Sequence, residues 1–238
     1  MRKKSGKRQE HVQNTEKINE PVKKILKGPI KYDITLNEEQ KLAKTAIHSN
    51  TITIVTGKAG SGKTLLACAY ALDELFKKQI AKIYITRPTV TREAMGFLPG
   101  DISQKLDPFL IPIYENLKQL YSREATKIDN LLRDKTIEIA PIAYMRGRTF
   151  TNSVLIIDEA QNMDDESLKM CLTRLGINSK IILCGDCAQI DLKTSMSGLK
   201  FLISLKDKIK GFEVVDLKTN HRHPILDEIL KFYDEHNK

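Results

Sequence analysis

Short apolar runs rich in β-branched residues alternate along the chain with longer stretches whose apolar positions recur every three or four residues. Thr51–Thr56, Lys82–Thr86 and Thr136–Ala140 have strand character. Ser153–Asp158 and Lys180–Cys184 are nearly uninterrupted apolar runs, the pattern of parallel strands covered on both faces. Phe212–Asp216 predicts a sixth strand. Helical spacing falls between them, over about Gly62–Lys78, Glu166–Leu175, Met196–Leu205 and Ile225–Glu235. Upstream, Asn37-Glu38-Glu39-Gln40 reads as a capping box at a helix entry. This alternation predicts one doubly wound α/β domain, a mainly parallel sheet with helices on both faces.

Composition narrows the picture. The chain has 238 residues, 41% hydrophobic and 29% charged, which suits a globular domain with a sizeable core. No apolar run approaches the ~20 residues of a membrane span. Four cysteines do not make a disulfide framework, so a reducing cytoplasm is the expected compartment. The net charge of +9 is unevenly placed: Met1–Lys31 holds ten Lys/Arg against three Glu. We therefore divide the chain into a basic, largely disordered leader, 1–31, and a folded domain, 32–238. The leader reads equally as an electrostatic arm for nucleic acid or as a solvated tail.

Gly57-Lys58-Ala59-Gly60-Ser61-Gly62-Lys63-Thr64 fits G-x-x-x-x-G-K-[ST], between an apolar strand and a helix. Glycines let backbone N–H groups wrap a phosphate, and the helix presents its positive end, formed by Thr64 and Leu65, to the anion. Lys63 is placed for the β- and γ-phosphates, and the Thr64 hydroxyl for Mg²⁺. Leu155–Gln161 adds two carboxylates at a strand end: Asp158 suits Mg²⁺, and Glu159 suits polarisation of an attacking water. Taken alone, the same Asp-Glu pair could simply favour the N-terminus of the next helix.

Gln189 follows the Lys180–Cys184 strand and is placed to sense a γ-phosphate. Arg222 follows the last strand, either as a transition-state arginine or as surface charge. The Gln40 amide, which donates and accepts at once, can read an adenine edge as well as cap a helix. Cys184-x-x-Cys187 has no further ligand pair at zinc spacing. Arg87, Thr89, Arg146 and Arg148 fall in loops predicted at the same sheet rim, as strand contacts or ordinary surface charge.

Further blocks join these motifs: Thr86-Arg87-Pro88, Gly96-Phe97-Leu98-Pro99-Gly100-Asp101, Asp107-Pro108-Phe109, Met145–Thr149 and Leu172–Gly176. With them the chain resembles the PhoH family, from about Leu36 to Tyr233. That resemblance implies a P-loop NTPase fold with a RecA-like core similar to the first domain of superfamily 1 helicases. It implies ATP at Gly57–Thr64, magnesium at Thr64 and Asp158, and hydrolysis aided by Glu159. Gln189 and Arg222 take the sensor and arginine roles, and Gln40 the adenine contact. It further implies work on RNA or single-stranded nucleic acid, a homo-oligomer such as a hexameric ring, and a ribonuclease or ribosome-associated partner. The competing expectation is an ATP-dependent binding module that recruits RNA-processing partners without unwinding.

Overall fold

The computed structural model describes residues 35–88, 102–121, 125–186 and 198–221, and Ile225, Glu228, Ile229, Phe232 and His236 beyond them. The basic leader, 1–31, lies outside the described residues.

The apolar runs are strands, and their side chains alternate between two cores. They are β1 (Ile52–Gly57), β2 (Lys82–Thr86), β3 (Ile137–Ile139), β4 (Ser153–Ile157), β5 (Lys180–Gly185) and β6 (Phe212–Leu217). Every pairing is parallel, in the order β3-β2-β4-β5-β1-β6. Val55, Ile83, Ile85, Val154, Ile156, Ile182 and Cys184 face one layer of helices. Ile54, Tyr84, Leu155, Ile157, Ile181 and Leu183 face the other. Each buried Leu or Ile contributes roughly 1.5–3 kcal/mol relative to exposure, and this two-sided burial fixes the register.

The first layer comprises α1 (Glu38–Ser49), α2 (Lys63–Phe76), α3 (Ile102–Leu120) and α4 (Ala125–Arg133). The second holds α5 (Asp165–Leu172) and α6 (Gly198–Ile203). The long α3 is the element the sequence pattern hid. Pro108 and Pro112 are helix-breaking signals, yet Leu110, Ile113, Leu117 and Leu120 make a buried stripe at helical spacing. α5 stops three residues before the expected Leu175, because Phe150 takes the following backbone into a parallel bridge. Phe150 N donates to Arg174 O at 2.8 Å, and Gly176 N donates to Phe150 O at 2.7 Å.

This topology gathers the carboxyl ends of the strands into one rim. Thr86 is in register with Ile157, and Asp158 N donates to Thr86 O at 2.8 Å, so Arg87 and Asp158 stand side by side. Thr56 is in register with Gly185, which sets the loop after β1 beside Asp186. No helix among the described residues is long and apolar enough to cross a membrane.

Candidate nucleotide site

Between β1 and α2 the chain turns through three glycines at positive φ: Gly57 (146°), Gly60 (89°) and Gly62 (84°). Gly57 has a packing reason too, since a Cβ there would lie 2.4 Å from Leu217 O on β6. The helix that follows is left open at its N-terminus. α1 has its capping box, with Asn37 accepting from Gln40 N at 2.8 Å and Gln40 Oε1 accepting from Asn37 N at 3.1 Å. α2 has neither a capping side chain nor an acid in its first turn. Its positive end and unpaired amides therefore face the loop, the arrangement that binds a phosphate.

Lys63 Nζ lies within the same loop, donating to Gly57 O at 2.7 Å and Lys58 O at 3.0 Å. A cleft of about 250 Å³ runs past Ala59, Gly60, Lys63, Thr64 and Leu65 to Asn116 of α3 and Glu159. A roomier hollow of about 380 Å³, around Thr51, Tyr70 and Lys180, opens among residues at the opposite ends of the strands, away from these groups.

Asp158 is 4% exposed at the end of β4. Thr64 Oγ1 donates to Asp158 Oδ1 at 2.6 Å. Burial pushes the Asp158 carboxyl above the usual range; the Thr64 hydroxyl opposes this, the Glu159 charge adds to it, and Arg87 offsets part. A buried carboxylate beside a hydroxyl and an open helix N-terminus is a donor set suited to Mg²⁺, which takes one or two protein oxygens and otherwise phosphate and water. Among the described residues no three His, Cys, Asp or Glu converge on a point.

Glu159 adopts the left-handed conformation (φ 51°, ψ 41°). Its Oε1 accepts from Arg87 Nη2 at 3.1 Å and its Oε2 from Gln161 Nε2 at 2.6 Å. Gln161 is buried, and its Oε1 accepts from Asp186 N at 3.1 Å, which ties Glu159 to the end of β5. Arg87 thus stands among the carboxylates, with Nε 4.0 Å from Asp158 Oδ2.

The other rim positions separate. Arg148 forms a two-pronged pair with Glu138 and lies 4.9 Å over the Tyr84 ring, so its guanidinium braces the β3 edge. Arg146 is exposed. Gln40 is buried and its amide is engaged at both ends, Nε2 lying 3.4 Å from Ser61 O and 3.2 Å from His221 Nε2. His221 N donates to Gly60 O at 3.1 Å. Glu39 accepts from Lys218 N and Thr219 N at 3.0 and 3.1 Å, holding the segment after β6 against α1. Thr89, Gln189 and Arg222 lie outside the described residues. Sequence reasoning gave no role to Asn116 or Gln161, of which only Gln161 stood inside a motif.

A family model described as PhoH-like protein matches residues 34–234. The chain belongs to the PhoH family. It is 42% identical over 208 residues to the PhoH-like protein of Mycobacterium leprae (strain TN), covering 86% of this chain and 58% of that relative. The chain thus spans little more than half the length of that curated relative. Among solved structures it is similar to the large terminase of a thermophilic bacteriophage, with a TM-score of 0.56 and 11% identity over 83% of this chain and 50% of that one. It is also similar to the UvsW helicase of bacteriophage T4, with a TM-score of 0.51 and 14% identity over 82% of this chain and 66% of that one. At these identities the likeness is one of fold, the RecA-like P-loop fold.

Proposed function

We propose that this PhoH-family chain is a magnesium-dependent ATPase, converting ATP and water to ADP and phosphate, coupled to RNA or another single-stranded nucleic acid. The observation that carries the reading is the 2.6 Å bond from Thr64 to Asp158, with Glu159 next in the chain. It joins the phosphate loop to the carboxylates, which the sequence holds 94 positions apart.

In this reading the α2 amides and Lys63 bind the phosphates once Lys63 Nζ leaves the loop carbonyls. Thr64 and Asp158 hold Mg²⁺, which supplies charge neutralisation on the phosphate oxygens. Glu159 orients the attacking water and takes its proton. Gln40 reads the adenine edge by exchanging its His221 partner for the base. Gln189 and Arg222 serve as γ-phosphate sensor and transition-state arginine. The strand contacts are Arg87, Thr89 and Arg146. Assembly as a homo-oligomer lets one subunit's arginine complete its neighbour's site. The cytoplasm is the proposed compartment.

The test is ATP turnover with and without single-stranded RNA, across protein concentration and salt. Stimulation by the strand and a steep concentration dependence support the reading. Turnover that no single strand alters at any salt concentration removes the nucleic-acid half. A specific observation favours a second reading, a nucleotide-dependent switch: both Glu159 oxygens already have partners. Under it, ATP drives capture of an RNA-processing partner while hydrolysis stays slow.

A further inference from the structure

Glu159 is a side chain suited to activating water, and it is held on both sides. Arg87 Nη2 occupies Oε1 at 3.1 Å, and Gln161 Nε2 occupies Oε2 at 2.6 Å. The two holds differ in kind. Gln161 is buried and anchored to Asp186 N, so it fixes where the carboxylate stands. Arg87 and Glu159 are 25% and 34% exposed, so their pair is open to competition from solvent-borne groups. A partly exposed ion pair is weak, and a phosphodiester accepts a guanidinium with the same forked geometry as a carboxylate.

The sheet order supplies a route for such a phosphate. Along the rim the strands run β3, β2, β4, carrying in turn the turn Ile142–Met145, Arg87 and Glu159. Adjacent strands are about 4.8 Å apart, so roughly 10 Å separates the β3 edge from Glu159. Ala140 N donates to Ile85 O at 3.0 Å, which pins the start of that turn beside β2. Tyr144 on the turn is 55% exposed, and exposed Arg146 follows it. Arg148, tied to Glu138, holds the same segment in place. An open aromatic ring with a neighbouring exposed cation is the pairing that binds a single strand, through base stacking and phosphate contact.

We infer that Arg87 is a positioning residue that keeps Glu159 idle, and that a phosphate of a single strand seated over Tyr144 and Arg146 draws it away. This rests on the ATPase reading above and adds how the strand controls it. When Arg87 leaves, Oε1 is free to accept a proton from water. That water's oxygen bonds to the γ-phosphorus as the bond from γ-phosphorus to the β–γ bridging oxygen breaks. ADP and inorganic phosphate leave, and the proton passes from Glu159 to solvent. Gln161 retains Oε2 throughout, so the carboxylate is released without being displaced.

The experiment compares the full chain with Arg87→Ala, Arg87→Gln, Arg87→Lys and Tyr144→Ala in Mg-ATP turnover, without and with oligo(U). Loss of the guanidinium raises the strand-free kcat about tenfold. KM stays unchanged, and added oligo(U) then gives little further gain. Arg87→Gln gives the same result should Arg87→Ala fold poorly, and Arg87→Lys restores repression. Tyr144→Ala raises the oligo(U) concentration for half-stimulation about tenfold. A strand-free kcat at or below wild type in both neutral variants overturns the inference and assigns Arg87 to the ATP phosphates. A faster Arg87→Ala in a protein that oligo(U) never stimulates leaves the restraint on Glu159 standing but overturns the strand as its release, together with the nucleic-acid reading.

Discussion

Thr64 and Asp158 are joined by a 2.6 Å hydrogen bond across 94 positions of sequence, one on the first turn of α2 and the other at the end of β4. The sheet order makes this contact, because β5 alone separates β1 from β4. Asp158 is buried for it, and burial raises its pKa above the ordinary 3.8. A raised acid stabilises the fold fully below its unfolded value, and that contribution is lost as pH rises through the folded value.

Asp158→Asn should therefore raise the stability of the ligand-free protein near neutral pH and flatten its fall as pH rises above the ordinary carboxylate range. The same substitution should abolish magnesium-dependent turnover. Denaturant titrations at several pH values, set beside ATPase assays, check both outcomes.

Lys63→Ala should weaken ATP binding at least tenfold while leaving stability within about 0.5 kcal/mol. Among the described residues its ammonium donates to Gly57 O and Lys58 O of its own glycine-rich turn, so the core there loses no partner. Calorimetric binding and thermal unfolding separate the two effects.

Gly57→Ala should destabilise by about 2 kcal/mol or more. Its Cβ would fall 2.4 Å from a backbone carbonyl, at a φ of 146° that side chains rarely adopt. A lowered Tm together with lost nucleotide binding is the expected pair of results.

Glu138 is held below its usual pKa chiefly by the Arg148 hydrogen bonds. A depressed acid contributes stability above its unfolded pKa and loses it as pH falls through the folded one. Glu138→Gln should cost up to about 1 kcal/mol at pH 7 and nothing once the pH is well below 4. Arg148→Ala should lower Tm without changing the salt dependence of RNA binding, whereas Arg146→Ala should reduce that dependence by about one phosphate contact.

Much of the fold was legible because buried parallel strands write themselves as uninterrupted apolar runs, as at Ser153–Ile157 and Lys180–Cys184. The phosphate loop was legible because its glycines and lysine are contiguous. α3 was not, since Pro108 and Pro112 outweigh its apolar stripe until the packed face is seen. Arg148 read as a strand contact or as surface charge, because a sequence cannot show that the side chain pairs with Glu138 and lies over Tyr84. Gln40 carried both a capping and a base-reading signal. The capping box is present, and the remaining amide valence turns to Ser61 and His221.

By itself the sequence determined the local pattern: a glycine-rich loop matching the phosphate-binding motif, a helix behind it, and two carboxylates after an apolar strand. The +9 of the chain also belongs mainly to its first 31 residues, not to the folded body. What only the tertiary structure decided is which distant groups share the rim. Strand order places Arg87 against Glu159 and Asp158 against Thr64. These pairings depend on burial and on parallel register across the sheet, physical constraints that act between elements and leave no periodic trace in any one of them.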